Sequence, residues 1–334
     1  MLIEVNNLSK NFEYYKKEIG IKSSITNLFK RKILIKRAVK DINFGIEEGE
    51  MIGLLGPNGS GKTTTLKMLS GILHPTNGSA TVMGYIPWER KKRFKMQFGI
   101  VMGQKTQLWM DLPANESLYL NKCIYEIDDN EFYKTVDELA EILDVKHILN
   151  VQVRRLSLGE RMKLELIASL LHRPKVLFLD EPTIGLDIIS QRKIREFLKY
   201  YNEQTKTTVI LTSHYMKDVE DLCKRTIVLN DGKIVYDGEL YKVNELFSQK
   251  KIIKIQLSEY RDKEIFDGYG TVRECKGYSA IIEVNKSEVK SSLKNILDGL
   301  PVVDFNIEDI PIEEGISILY QKDGTVNENL AEVL

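Results

Sequence analysis

Cysteine, tryptophan and net charge are all scarce in this sequence. Its three cysteines, Cys123, Cys223 and Cys275, stand far apart and form no C-x-x-C pair. That spacing excludes a zinc ribbon or a redox dithiol and fits a reducing cytoplasm. Lys+Arg and Asp+Glu both number 48 in 334 residues, so the formal charge is zero. A generic nucleic-acid binder would be basic, and no nucleic-acid partner is expected. Long apolar runs are missing too. The longest, Leu164 to Leu179, is broken by "HRPK" and cannot span a bilayer. The opening "MLIEVNNLSKNF" alternates apolar and polar residues, unlike a secretory signal. The expectation is a soluble chain whose membrane role, if it has one, runs through a partner.

What is present is an alternation of short apolar strands and helical patterns. "MIGLLG" (51–56), "FGIVM" (98–102), "VLFLDE" (176–181) and "TTVILTSH" (207–214) read as strands buried on both faces. Residues 63–73 read as a helix, and "RTIVLNDGKIVYDG" as a hairpin turning at Asp231-Gly232. From about residue 110 to 165 the apolar spacing is helical, as in Leu139, Ile142 and Leu143. This order predicts an α/β sheet with a helical insertion. Residues 13–37 interrupt the first two strands with eight Lys/Arg against Glu13 and Glu18. They read as a solvated loop or short helix. Residues 252–320 change style, to strand, weak helix, strand pair, helix, strand, helix. That split βαβ order predicts a separate, ferredoxin-like α+β domain. The expected division is 1–248 and 249–334.

The chemistry begins at "GPNGSGKT". Gly56, Pro57, Asn58, Gly59, Ser60, Gly61, Lys62 and Thr63 match G-x-x-x-x-G-K-[ST] between an apolar strand and a helix, the context that identifies a P-loop. Glycines let backbone N–H groups approach phosphate oxygens, Lys62 adds charge at the β- and γ-phosphates, and the Thr63 hydroxyl would ligate Mg²⁺. A buried strand then delivers Asp180 and Glu181 to its C-terminal end. Asp180 is expected to hold Mg²⁺ through water, and Glu181 to act as general base on the attacking water. Gln104 and His214 follow two further strand ends. A second phosphate-binding turn lies at "LSLGE" (156–160), where Ser157 and Gly159 open a helix whose N-terminus favours an anion.

In this order the motifs resemble the ATP-binding subunit of ABC transporters over about residues 1–245. "GPNGSGKTT", including Thr64, is similar to the Walker A motif, "VLFLDE" to Walker B and "LSLGE" to the signature. Gln104 falls at the Q-loop, Asp187 of "GLD" at the D-loop and His214 at the switch histidine. One departure is Leu158, where the family usually has glycine. The resemblance implies a P-loop ATPase core with a helical subdomain, binding ATP and Mg²⁺. It implies two cassettes packed head to tail, so that Ser157, Gly159 and Glu160 of one chain meet the ATP held by the other's P-loop. It further implies Gln104 as a metal contact, His214 as a γ-phosphate sensor and Asp187 at the dimer seam. The adenine-stacking aromatic, by position after "LSK", is Phe12, with Tyr14 and Tyr15 close by.

"GQKTQLWMDLP" (103–113) looks most like subunits of exporters with separate permease chains. The implied partners are integral-membrane permease subunits and a second ATP-binding subunit, identical or different. The implied location is the cytoplasmic face of the membrane. Trp109, Leu112 and Leu118 are expected to offer apolar surface to the permease. The competing reading is a soluble ABC ATPase acting on ribosomes or DNA; such proteins commonly fuse two cassettes or insert coiled coils, and neither feature occurs here. The guanine motif N-K-x-D of GTPases is also missing.

Overall fold

The computed structural model describes residues 1–15, 33–103, 105–213, 215–242, 250–311, 314 and 316. The chain divides into two units, one over Met1–Gly238 and one beginning at Glu239.

The first unit is built on two sheets. The antiparallel one has the order β2-β1-β4, from Ile3–Tyr14 (β1), Leu34–Ile46 (β2) and Asn77–Val82 (β4). The six-stranded one has the order β5-β6-β7-β3-β8-β9. Its strands are Met51–Leu55 (β3), Phe98–Met102 (β5), Val176–Asp180 (β6), Thr208–Thr212 (β7), Arg225–Asn230 (β8) and Lys233–Glu239 (β9). β5, β6, β7, β3 and β8 run parallel. β3 and β7 are buried at every residue, which is why they read as unbroken apolar runs. The register aligns their ends: Met102 pairs with Asp180, Asp180 with Thr212, and Thr212 with Leu54. Four loops therefore leave the sheet side by side at its C-terminal edge, the usual ligand edge of an open α/β sheet.

The helix Lys62–Leu69 touches both sheets, meeting β2, β4, β6 and β7. Its Leu66, Met68 and Leu69 join Ile3, Leu8, Ile46, Phe94 and Phe178 in one core. Burying such large side chains is worth roughly 1.5–3 kcal/mol each, so the helix behind the phosphate loop is held firmly. Helices Ala114–Tyr125 and Asp129–Ile142 form the insertion, and helix Leu158–Leu170 follows. Asp128 caps the second of these through the amides of Asn130 and Glu131. The basic stretch 13–37 is shorter than its composition implied: β1 runs to Tyr14 and β2 starts at Leu34. Its residues 16–32 lie outside the described ones.

In the second unit, Lys250–Leu257 (β10), Thr271–Cys275 (β11), Ser279–Asn285 (β12) and Val302–Asp309 (β13) form an antiparallel sheet ordered β11-β12-β10-β13. Ile253, Ile255 and Leu257 alternate on β10, as do Ala280, Ile282 and Val284 on β12. They bury one face against Phe266 and Ile296, the latter on helix Val289–Gly299. The weak helix expected after β10 is a single 3₁₀ turn, Lys263–Phe266. The last expected helix, 312–320, falls mostly outside the described residues.

Candidate active site

The phosphate loop closes around its own lysine. Lys62 is buried, and its Nζ donates to the carbonyls of Gly56 at 2.6 Å and Pro57 at 3.2 Å. Burial lowers its pKa, while Glu181 and Asp180 act to raise it. Gly61 has φ 110°, and a Cβ there would stand 2.6 Å from the Ala38 carbonyl oxygen. Only glycine fits that conformation and that gap. The loop is braced from the β8–β9 turn, where the Gly232 amide donates to the Ser60 carbonyl at 3.1 Å.

Next to Lys62, the Thr63 hydroxyl donates to Asp180 Oδ1 at 2.9 Å, and the Thr212 hydroxyl reaches the same oxygen at 2.8 Å. Glu181 has left the strand for a left-handed conformation, φ 55°. Its amide donates to the Thr212 carbonyl and to the Thr212 hydroxyl, each at 3.0 Å. Non-glycine residues held this way are strained and concentrate at functional sites.

Two cavities flank Thr63. One, of about 200 Å³, is lined by Phe12, Lys36, Ala38, Asn58, Gly59, Gly61, Lys62, Thr63, Thr64 and Glu181. The other, of about 110 Å³, is lined by Thr63, Lys67, Met102, Lys105, Asp180 and Glu181. Glycine amides, a lysine and the N-terminus of a buried helix suit the first to a polyphosphate. A hydroxyl and a carboxylate within hydrogen-bond reach are hard oxygen donors that suit Mg²⁺, which typically takes one or two protein oxygens and the rest from phosphate and water. No group of three or more His, Cys, Asp or Glu among the described residues could hold a metal alone.

Phe12 lies at the mouth of the first cavity, opposite Lys36 in the β1–β2 register, with Lys10 Nζ 5.4 Å from its ring centre. Tyr14 and Tyr15 are exposed beyond it. Gln104 and His214 lie outside the described residues.

The signature turn lines neither cavity. Ser157 caps helix Leu158–Leu170 in a reciprocal box: its hydroxyl accepts from the Glu160 amide, and Glu160 Oε2 accepts from the Ser157 amide at 2.8 Å. The Ser157 amide and hydroxyl hold the Glu160 carboxyl below its usual range. Behind the turn, Gly159 leaves no room for a Cβ, which would collide with Ser190 Oγ. Ser190 in turn binds Asp187 through its amide at 2.9 Å and its hydroxyl at 2.7 Å, so Asp187 caps helix Ile188–Thr205. Signature turn and D-loop thus form one block, and Leu158, the departure from the family pattern, packs toward Gly185 of that block.

Sequence reasoning missed Lys36, Lys105 and Thr212. Thr212 carried the signal of ending a buried strand; Lys36 and Lys105 carried none. It also misplaced Leu118, which is fully buried in the insertion, whereas Trp109 and Leu112 are 59% and 38% exposed. Helical spacing defines an apolar face but not what covers it.

Comparison with known proteins gives the family and the fold. Residues 39–184 match the family described as ABC transporter, and residues 249–308 match the EvrA-like ABC transporter C-terminal domain. The ABC transporter ATP-binding protein NatA of Bacillus subtilis is 33% identical over 217 residues, 65% of this chain and 88% of its own length. The linearmycin resistance ATP-binding protein LnrL of the same organism is 35% identical over 67% of this chain and 71% of its own. The bacitracin transport ATP-binding protein BcrA of Bacillus licheniformis is 30% identical over the same shares, 67% and 71%. Among solved structures, the ATP-binding subunit of an ABC transporter superposes with TM-score 0.61 at 23% identity, covering 74% of this chain and 93% of the other. A dimeric bacterial ABC transporter cassette gives TM-score 0.60 at 24% identity, covering 71% and 98%. These two likenesses establish the fold.

Proposed function

The chain belongs to the ATP-binding subunits of ABC transporters, and on that premise we propose that it powers separate membrane permease subunits, pairing with a second ATP-binding subunit around two ATP molecules. ATP hydrolysis is the family's activity. The observation that carries the proposal is the division of labour within one chain. Lys62, Thr63, Asp180 and Glu181 surround the phosphate cavities, while the signature turn sits apart from both. A helix N-terminus that lines neither of the chain's own phosphate cavities suits a phosphate held by another chain.

In this reading Lys62 exchanges its backbone carbonyls for the β- and γ-phosphates. Thr63 and Asp180, with Gln104, would hold Mg²⁺, which neutralises charge on the phosphates when bound. Glu181, at the junction of the cavities, takes a proton from the attacking water, and His214 contacts the γ-phosphate. Phe12 stacks on adenine at the cavity mouth. Ser157 and Gly159 serve the partner's ATP, with Asp187 at the seam. Ile188 and Ile189, 81% and 72% exposed beside Asp187, support a covered surface there.

No helix among the described residues is long and apolar enough to cross a membrane, which supports a peripheral subunit at the cytoplasmic face. A cavity of about 290 Å³ between the end of β5 and the signature helix supports a permease dock, with Trp109 and Leu112 exposed nearby. Relatives named for linearmycin resistance and bacitracin transport support export. We assign ATP binding to the unit over Met1–Gly238 and read the described residues 250–311 as a small α+β domain, none of whose residues lines either phosphate cavity; nucleic acid is not expected as a partner.

The test is purification of the tagged chain from membranes after coexpression with multi-span proteins encoded beside it. The expected result is a detergent-stable complex whose ATPase activity requires Mg²⁺. Recovery with ribosomes or DNA instead would overturn the transport reading.

A further inference from the structure

The signature helix carries another acid, one that the phosphate chemistry does not use. Glu165 is only 3% exposed, eight residues beyond Ser157 and thus about 12 Å along the helix axis. A buried carboxylate is costly unless its oxygens are satisfied. Here the donors come from one short segment. The Thr106 hydroxyl donates to Glu165 Oε1. The Gln107 amide lies 3.0 and 3.1 Å from the two carboxylate oxygens, and the Leu108 amide 3.4 Å from Oε1.

That segment is the chain leaving β5 for the helical insertion. It starts where the Lys105 amide bonds the Met102 carbonyl at 2.8 Å. It ends where the Trp109 amide donates to Ser117 Oγ at 3.1 Å. Just beyond, the Met110 and Leu112 carbonyls accept the amides of Arg154 and Val153 at 2.9 and 3.0 Å, immediately before the signature turn. The segment and its continuation are therefore stitched to the signature side at several points, the exposed Arg154–Asp111 pair at 3.0 Å among them, and Glu165 is the buried acid that does so.

We propose that Glu165 is a positioning residue for ATP hydrolysis. It clamps residues 106–108 to the signature helix, so that a displacement of the segment leaving β5 carries the signature turn with it. Thr106, Arg161 and Glu165 all line the cavity of about 290 Å³, so anything seated there presses on both sides of the clamp. The inference rests on the reading that the signature turn completes the partner's ATP site.

The experiment uses the full purified chain with three substitutions, Glu165→Gln, Thr106→Val and Ser157→Arg. In Glu165→Gln the amide oxygen can keep the Oε1 partners, but an N–H₂ group replaces Oε2 and faces the Gln107 amide, donor against donor, and the clamp loosens. Its kcat should fall on the order of ten- to a hundredfold, the scale of a small misplacement of reacting groups. KM and ATP binding should stay at wild-type values, and amide exchange at residues 106–108 should quicken. Thr106→Val should move the same quantities less far, and it answers the question even if Glu165→Gln fails to fold. Wild-type kcat in both variants, with turnover abolished by Ser157→Arg, would overturn the clamp alone. Parallel loss of ATP binding and turnover would also overturn it, since that is what a general folding role produces. Full turnover by Ser157→Arg would remove the signature site through which Glu165 acts and overturn both readings together.

Discussion

The Thr63 hydroxyl donates to the Asp180 carboxylate at 2.9 Å, across 117 residues of chain. The bond joins the first turn of the P-loop helix to the end of β6 and places two hard oxygens at one cavity wall. Asp180 also accepts from Thr212 at 2.8 Å, so its carboxylate is held before any nucleotide arrives. Asp180→Asn keeps the shape but loses the charge. It should weaken Mg²⁺-ATP binding by about ten- to a hundredfold, the equivalent of a charge-assisted contact of roughly 1.5–3 kcal/mol. Binding of metal-free ATP in EDTA should change little. Titration calorimetry under both conditions checks this; equal losses in both would remove Asp180 from the metal site.

Glu181 sits where the two cavities meet, in a left-handed conformation fixed by two bonds from its amide to Thr212. Glu181→Gln retains the size of the side chain and those backbone bonds, and removes the base. ATP binding should persist while hydrolysis falls by roughly 10²-fold or more. Near-normal turnover in single-turnover kinetics would place the base elsewhere, with His214 the next residue to test.

Much of this was legible because the signals are local. The run from β3 through Gly56–Thr63 into a helix is a contiguous pattern, and the unbroken apolar stretches of β6 and β7 mark central parallel strands. The pairing of Ser157 with Glu160 is itself a local S-x-x-E pattern, though the anion-binding reading of the turn drew attention away from it. What could not be read are contacts that only the fold creates. Ser190 fills the space behind Gly159, Glu165 reaches back to residues 106–108, and Leu118 turns into the insertion. None of these leaves a periodicity or a spacing in the chain.

His172 has a structural role with a pH signature. Its ring stacks on Tyr125 at 3.8 Å between centroids, and its Nε2 lies 3.0 Å from the Phe98 carbonyl, so Nε2 carries the proton. Nδ1 is buried without a partner. Burial lowers its pKa, against the smaller opposing effect of the Phe98 bond. Below about pH 6.5 the unfolded chain binds a proton that the folded chain resists. This contribution to stability is therefore fully present above that pH and is lost as pH falls toward the depressed folded value. His172→Gln should cost about 1 kcal/mol at neutral pH, the scale of a lost aromatic pair. It should also flatten the acid side of the stability curve, read from denaturant melts between pH 7.5 and 5. An unchanged slope would assign that loss to other groups.

A buried acid also ties two loops at the site to helix Ile188–Thr205. Asp218, 1% exposed, accepts from Arg195 at 2.9 Å, from the Ser213 hydroxyl at 2.7 Å and from the Thr183 hydroxyl. Thr183 lies two residues past Glu181, and Ser213 directly follows β7. Asp218→Ala leaves the buried Arg195 guanidinium with only the partly exposed Asp221, at 3.0 Å, and frees the Thr183 and Ser213 hydroxyls; it should cost about 3 kcal/mol, the low end for breaking a buried pair. Replacing both partners, as in Arg195→Met with Asp218→Leu, should recover part of that stability but not the turnover, because Thr183 and Ser213 remain unanchored. Thermal melts and ATPase rates on the single and double variants separate the two effects.

The separation of Ser157 from the phosphate cavities leads to a test of which chain completes which site. Lys62→Ala should disable every P-loop. Ser157→Arg should disable every signature turn, because its bulk and charge intrude where Lys62 of the partner meets the γ-phosphate. Ser157→Arg also removes an N-cap worth about 1 kcal/mol, so a melting curve must first show a folded chain. Each pure variant should be inactive. In the mixed dimer one site carries both lesions, while the other joins the intact P-loop of the Ser157→Arg chain to the intact signature of the Lys62→Ala chain. Activity above either pure variant is expected wherever one site can fire alone. Crosslinking avoids that condition. Ser60 is buried at 2% exposure, whereas Asn58 on the same loop is exposed, so Asn58 is the better probe. In a Glu181→Gln chain without its native cysteines, Asn58→Cys on one protomer and Ser157→Cys on its partner should be joined by a short bifunctional reagent only when ATP is present. Joining confined to doubly substituted single chains, with no mixed-protomer product, would place both cradles on one ATP in one chain and end the trans reading.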